Sequence, residues 1–164
     1  MPPSASVTKS KNLGRFALLI WIVSAGVLGW FFVKGVTTPS ADGRTAVHLA
    51  PAERDLVLTE MRQLLQAVHG IVTGLSLSDQ AQGHTQAAAA ARSAGMVMAA
   101  DGNPTLMLKL PLPMKQLGMS VHQDFDQLAD AITDGTTPQD ILQHLSNITT
   151  RCLACHEMYQ LKEG

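Results

Sequence analysis

Only two cysteines occur in this 164-residue chain, and Cys152 and Cys155 stand too close together for a disulfide that would staple the fold. The spacing leaves a redox motif, a metal site or an attached cofactor. Acidic residues are missing before Asp42, where the only charges are Lys9, Lys11, Arg15 and Lys34. The remainder therefore carries eight basic against thirteen acidic residues, and the net charge of −1 conceals a mildly acidic body. Such a body has no electrostatic hold on nucleic acid, so no nucleic-acid partner is expected. No segment shows a convincing strand period of two, and no 20 to 50 residue repeat argues for a solenoid. The SLSDQAQG segment has no phosphate-loop pattern, and neither a Ser-His-Asp set nor a carboxylate pair can be argued; the chain is not expected to be an enzyme. Its length suits one domain with an appendage.

The appendage is legible. Phe16 to Val33 is a run of eighteen uncharged residues, about 27 Å of helix and close to the hydrocarbon thickness of a bilayer. Basic residues cluster ahead of it. The positive-inside rule then puts residues 1–15 in the cytoplasm as a tail without fixed structure, and everything after Lys34 outside. A cleaved signal peptide is the alternative, but VTTPSADG offers only poor cleavage sites. The expected organisation is a transmembrane anchor over 16–36, a tether over 37–50 and a domain over 51–164. The expected location is a bacterial inner membrane, crossed once, with the domain in the periplasm.

From residue 51 onward the periodicity is helical. A first helix should begin near Pro51, with Val57, Met61, Leu64, Val68, Ile71 and Leu75 on one face, and close at Gly74 and SLSD. Asp79, with Gln82 three residues on, reads as the cap of a second, alanine-rich helix running to about Ala100, where DGNP stops it. Its small side chains would let something bulky lie against it. Leu106 to Pro113 is apolar, but Pro111 and Pro113 predict a loop, serving as a docking surface or as a pocket edge. A third helix is expected from Pro113 to Ile132, and a fourth after Thr137, with Ile141, Leu145, Ile148, Cys152, Cys155 and Tyr159 on its inner seam. The predicted fold class is all-α, an antiparallel up-down-up-down four-helix bundle preceded by one transmembrane helix.

In RCLACHEMY, Cys152, Cys155 and His156 form C-x-x-C-H, the attachment motif of c-type haem. Thiols at i and i+3 share a helix face and suit thioethers to one porphyrin, with His156 beneath the iron as proximal ligand. Three other readings compete: a thioredoxin-like pair, which would want a mixed sheet fold; a zinc site, which would want a fourth nearby ligand; and coincidence. One covalent haem c is the expected cofactor.

With the C-terminal RCLACHEMYQLKEG in view, the segment from about Ala50 to Gly164 resembles the class II c-type cytochromes, that is cytochrome c prime and its methionine-ligated low-spin relatives. The resemblance implies an antiparallel four-helix bundle with C-x-x-C-H near the end of the last helix. The membrane anchor departs from the usual soluble form. The low-spin relatives take a distal methionine from the first helix, and Met61 in LTEMRQ resembles it. Depth along an antiparallel pair agrees: Met61 lies ~22 Å from the end of the first helix, and Cys152 and His156 ~21 to 27 Å from the start of the last. Core filler is the competing role for Met61.

His122 is a second candidate for the iron, against the default of a hydrogen-bonding residue. Met96, Met98 and Met119 are expected to line the pocket, Tyr159 and Phe125 to pack on the porphyrin or in the core, and Arg62 and Arg151 to meet propionates or solvent. His48, His84 and His144 are placed away from the iron. The resulting expectation is a membrane-anchored monohaem cytochrome passing single electrons to redox partner proteins at the periplasmic face. Five-coordinate iron binding nitric oxide or carbon monoxide is the rival. A haem-bearing accessory subunit of a membrane complex is a third reading, and a homodimer stays open.

Overall fold

Residues 7–99 and 103–164 are described by a computed structural model, and the chain in it is mostly helical. The first helix, α1 (Val7–Lys34), is longer than the apolar run that nucleates it. Residues 7–15, expected without fixed structure, continue the same helix; no proline interrupts them, and propagation costs far less than nucleation. The rest of the expected tail, residues 1–6, lies outside the described residues. Leu13–Lys34 is long and apolar enough to cross a membrane, and none of it is buried. Trp21, Ile22 and Leu28 are exposed on it, as suits a helix that is apolar all round.

The stretch expected as a tether is built into the fold. It carries β1 (Thr37–Pro39) and β2 (Thr45–Leu49), joined by a turn in which Gly43 takes φ 87° and its N–H donates to Ser40 O at 3.1 Å. The last residues form β3 (Tyr159–Glu163). The sheet order is β1-β2-β3: β2 pairs antiparallel with β1 and parallel with β3, in register from Thr45 with Tyr159 to Leu49 with Glu163. An all-α fold is thus corrected to a mostly helical one with a small sheet. Each strand is too short to show a period, and the partners of β2 and β3 lie over a hundred residues apart.

The long helices α2 (Pro51–Leu75), α6 (Leu112–Thr133) and α7 (Pro138–Met158) match the expected spans closely. Thr137 caps α7, its Oγ1 accepting from Asp140 N at 3.2 Å, and Asp79 caps α3 (Gln80–Ser93) through Ala81 N and Gln82 N. That second helix stops seven residues early. Asp126 takes the Met96 N–H at 2.8 Å, and Gly95 packs so closely on the Asp126 carboxylate that a Cβ there would collide. The chain resumes as a single turn, α4 (Met96–Ala99).

The expected loop over 106–113 is likewise corrected. It holds α5 (Pro104–Lys109), capped by Asn103, and the start of α6. Both prolines tolerated here avoid helix interiors: Pro111 is the N-cap of α6 and Pro113 lies in its first turn.

Helices pack in chain order, α2 on α3, α3 on α6 and α6 on α7. The α2–α3 crossing is tight, and a Cβ on Gly74 would sit 2.6 Å from Gly83 O. Ala87 and Ala91 are fully buried in the same seam, so much of the small-residue face of α3 serves the approach of α2. Two apolar clusters result. The larger gathers Ile71, Phe125, Leu128, Ile132, Ile141 and Ile148. The smaller joins Val47 and Leu49 of β2 to Val57, Leu106, Leu110 and Met114.

Candidate functional site

A cavity of about 1250 Å³ is walled by α2, α6 and α7, with α4 and α5 along one side. It is half open to solvent and roomier than the roughly 300–1,000 Å³ of ordinary small-molecule pockets. Met61 of α2 and Cys152, Cys155 and His156 of α7 all line it, so one space brings together residues more than ninety positions apart in sequence.

The α7 contribution follows from helical spacing. Ile141, Leu145 and Ile148 are buried in the larger cluster, and the same stripe one turn on carries Cys152 to the cavity wall. Cys155 packs with Met61 and Tyr159 on the smaller cluster, and His156 is the most exposed of the set. Tyr159, expected on the helical stripe, begins β3 instead. Pairing with Thr45 takes its backbone out of the helix, and Arg44 Nη1 donates to the carbonyls of His156 at 3.3 Å and Tyr159 at 3.5 Å. This clamp holds the end of the motif.

Both cysteines are free thiols. Burial pushes the Cys152 thiol up from its ordinary pKa; burial, and then the proximity of Cys152, does the same for Cys155. Burial therefore works against the free thiolate on which thiol–disulfide catalysis depends. A thioether is neutral and suffers no such penalty. Among the described residues no three His, Cys, Asp or Glu side chains converge as an ion site. The donors that one face of α7 brings to this cavity are two thiols and one imidazole.

His122 also lines the cavity but is 2% exposed and engaged at both ring nitrogens, Nδ1 with Ala94 O at 2.7 Å and Nε2 with Glu60 Oε1 at 2.8 Å. Ligating iron would break one of these bonds. Burial works against its charge, yet the hydrogen bonds to Glu60 and Ala94, with Asp126 nearby, outweigh it and lift the pKa above the ordinary value. A raised histidine pKa stabilises the fold fully below the unfolded value of about 6.5 and loses that contribution as pH rises through the folded value. Wild type is therefore expected to exceed Glu60→Gln in urea midpoint by more near pH 6 than near pH 9; a gap that stays constant between the two would count against this pair.

Met98 and Met119 line the cavity, whereas Met96 does not; its side of α4 is drawn to Asp126 through the backbone. Phe125 is core, 1% exposed in the larger cluster, and no part of the cavity wall. Arg151 lines the cavity while pairing with Asp124 at 2.5 Å, and Arg62 is turned to Thr59 at 2.8 Å. His48 bonds Thr38, His84 bonds Gln80 O, and His144 borders a separate small pocket. Leu106, Met107 and Leu110 make the expected greasy segment a pocket edge.

Two wall residues escaped sequence reasoning. Glu60 directly precedes Met61, a half-buried carboxylate beside a core stripe, and its signal was that position. Lys115 is buried and donates to Phe32 O at 2.6 Å and Met107 O at 2.9 Å. Nothing in the helical pattern marked it, since its partners lie on other elements. No family model, curated protein or solved structure matches this chain.

Proposed function

We propose that the chain is a membrane-anchored monohaem c-type cytochrome of the class II kind, an electron carrier at the periplasmic face of the membrane. The observation that carries this reading is that Cys152, Cys155, His156 and Met61 line one cavity of about 1250 Å³. In this proposal α2, α3, α6 and α7 are the four helices of an up-down-up-down bundle, with the N-terminus of α1 cytoplasmic.

Cys152 and Cys155 would hold the haem by thioethers, His156 would take the proximal position and Met61 the distal one. Bound there, haem c supplies a one-electron iron couple, whose potential methionine ligation raises. The residues around it then have defined tasks. Leu106, Leu110 and Met114 exclude water from one side of the cavity. The Glu60–His122 pair braces α2 against α6, holding Met61 at its depth. Arg151, its charge balanced by Asp124 and its Nη1 bonded to Ser120, lines the cavity as a fixed hydrogen-bond donor. The anchor confines the domain to membrane neighbours and raises its effective concentration there.

Met61 also supports the rival role, because its partial burial against the smaller cluster suits a packing residue above five-coordinate, gas-binding iron. The spin state of the purified protein separates the two. Electron transfer predicts a low-spin ferric spectrum that Met61→Leu converts to high-spin, with the potential falling; a wild type already high-spin and unchanged by the substitution would transfer the proposal to gas binding.

A further inference from the structure

The anchor is not a loose leash, because its outer end is bolted to the wall of the cavity. Val36 N donates to Lys109 O at 2.8 Å, and the Lys115 ammonium donates to Phe32 O while lying 3.6 Å from the centre of the Phe32 ring. The carbonyls at a helix C-terminus carry partial negative charge, so Lys115 is well placed to cap α1. Gly35 takes φ 65° and packs against Lys109 to Pro111, where a Cβ would collide with the Lys109 carbonyl.

This junction lies at a definable depth. Trp30 and Lys34 are the residue types that sit at membrane interfaces, and Lys34 Nζ lies 5.1 Å from the centre of the Trp30 ring. Phe32, whose carbonyl Lys115 holds, lies between them in sequence, only ~3 Å of helix from either. The corner formed by α5 and the start of α6 is therefore at headgroup level. Leu108 of α5 is 44% exposed there and Val36, just beyond the end of α1, 40%, while the neighbouring Lys109 ammonium is paired with Glu53 at 2.6 Å. The Val36 N–H bond to Lys109 O, next to Leu108 in sequence, keeps the two positions close to each other and to the end of α1.

We propose that the α5–α6 corner is a second membrane contact, Leu108 and Val36 resting in the bilayer surface that α1 enters. The occupant of this patch is lipid, and its consequence is orientation: α5, one edge of the cavity, is held against the membrane. The inference rests on α1 spanning the bilayer.

The test places the photo-crosslinking amino acid benzoylphenylalanine, one site at a time, at positions 24, 108 and 139 of the full chain in nanodiscs of phosphatidylcholine and phosphatidylglycerol. Position 24 reports on α1; position 139, exposed at the start of α7, lies at the other end of α6 and α7 from the corner. Lipid adducts at 24 and 108 but not at 139 are expected, and Gly35→Val should cut those at 108 severalfold while sparing those at 24. Adducts at 24 alone, or at 139 as readily as at 108, would overturn the contact and leave the anchor standing. Absence of adducts at 24 would overturn the membrane span beneath it.

Discussion

Chains carrying Cys152→Ser and Cys155→Ser together are expected to retain no haem through denaturation, a complete loss against a wild type whose denatured mass is expected to exceed the polypeptide by one haem. Both thiols line the cavity, and burial pushes the pKa of each upward. A serine hydroxyl at either position forms no thioether, and ligation through His156 does not survive unfolding. Each single variant should therefore keep its haem on denaturing gels through the one remaining bond, and only the pair should lose it. His156→Ala probes a separate function, since it leaves the sulfurs in place and removes the proposed axial ligand. Its expected signature is spectral, loss of the low-spin bands. Expression beside an intact haem c assembly system makes the result decisive: a wild type at the bare polypeptide mass would remove the cytochrome proposal altogether.

The second large effect concerns the frame around the site. Phe125→Ala should cost about 3–5 kcal/mol, the range for emptying a buried aromatic position. Phe125 is 1% exposed in the cluster where α6 meets α3 and α7, which includes Ala87, Ala91, Leu145 and Ile148. Domains are stable by only about 5–15 kcal/mol, so the loss takes a large share of the whole. Denaturant unfolding in mild detergent should show a much lower midpoint with an unchanged slope, while Phe125→Leu should cost about 1.5 kcal/mol or less. A midpoint for Phe125→Ala equal to wild type would mean that this seam is not close-packed. The variant also separates core from site: Phe125 does not line the cavity, so its haem content should persist under native conditions.

Much of the helical frame was legible because it is written locally. Val57, Ile71, Val121, Phe125, Ile141 and Ile148 recur at helical spacing and are all buried. Asp79 and Thr137 bond backbone N–H groups two or three residues away, so their caps are visible in a short window of sequence. Elements that answer to distant partners were misread. The break after Ser93 depends on Asp126, thirty residues beyond Met96. The segment around Leu106 looked like a loop because its prolines were visible, whereas the Asn103 cap and the docking of α1 that order it depend on placement in space.

The same division holds at the cavity. The default of a hydrogen-bonding residue held for His122, but its partner is a carboxylate sixty-two residues away that no local pattern names. Tyr159 continued a helical stripe on paper, and the open edge of β2 drew it into a strand.

By itself, then, the sequence determined what covalent spacing and helical period decide: the Cys152-x-x-Cys155-His156 cluster on a single helix face, the apolar span and the long helices. Helical depth also placed Met61 level with that cluster, and the fold puts all four side chains on one cavity wall; tertiary structure alone decided that the C-terminal residues close a sheet with β2, and that Lys115 and Gly35 fasten the anchor to the cavity wall. The physical reason is range. A helix face is fixed by neighbours three and four residues away, whereas a cavity wall, a parallel strand pair and a junction are each made by residues that only the folded chain brings together.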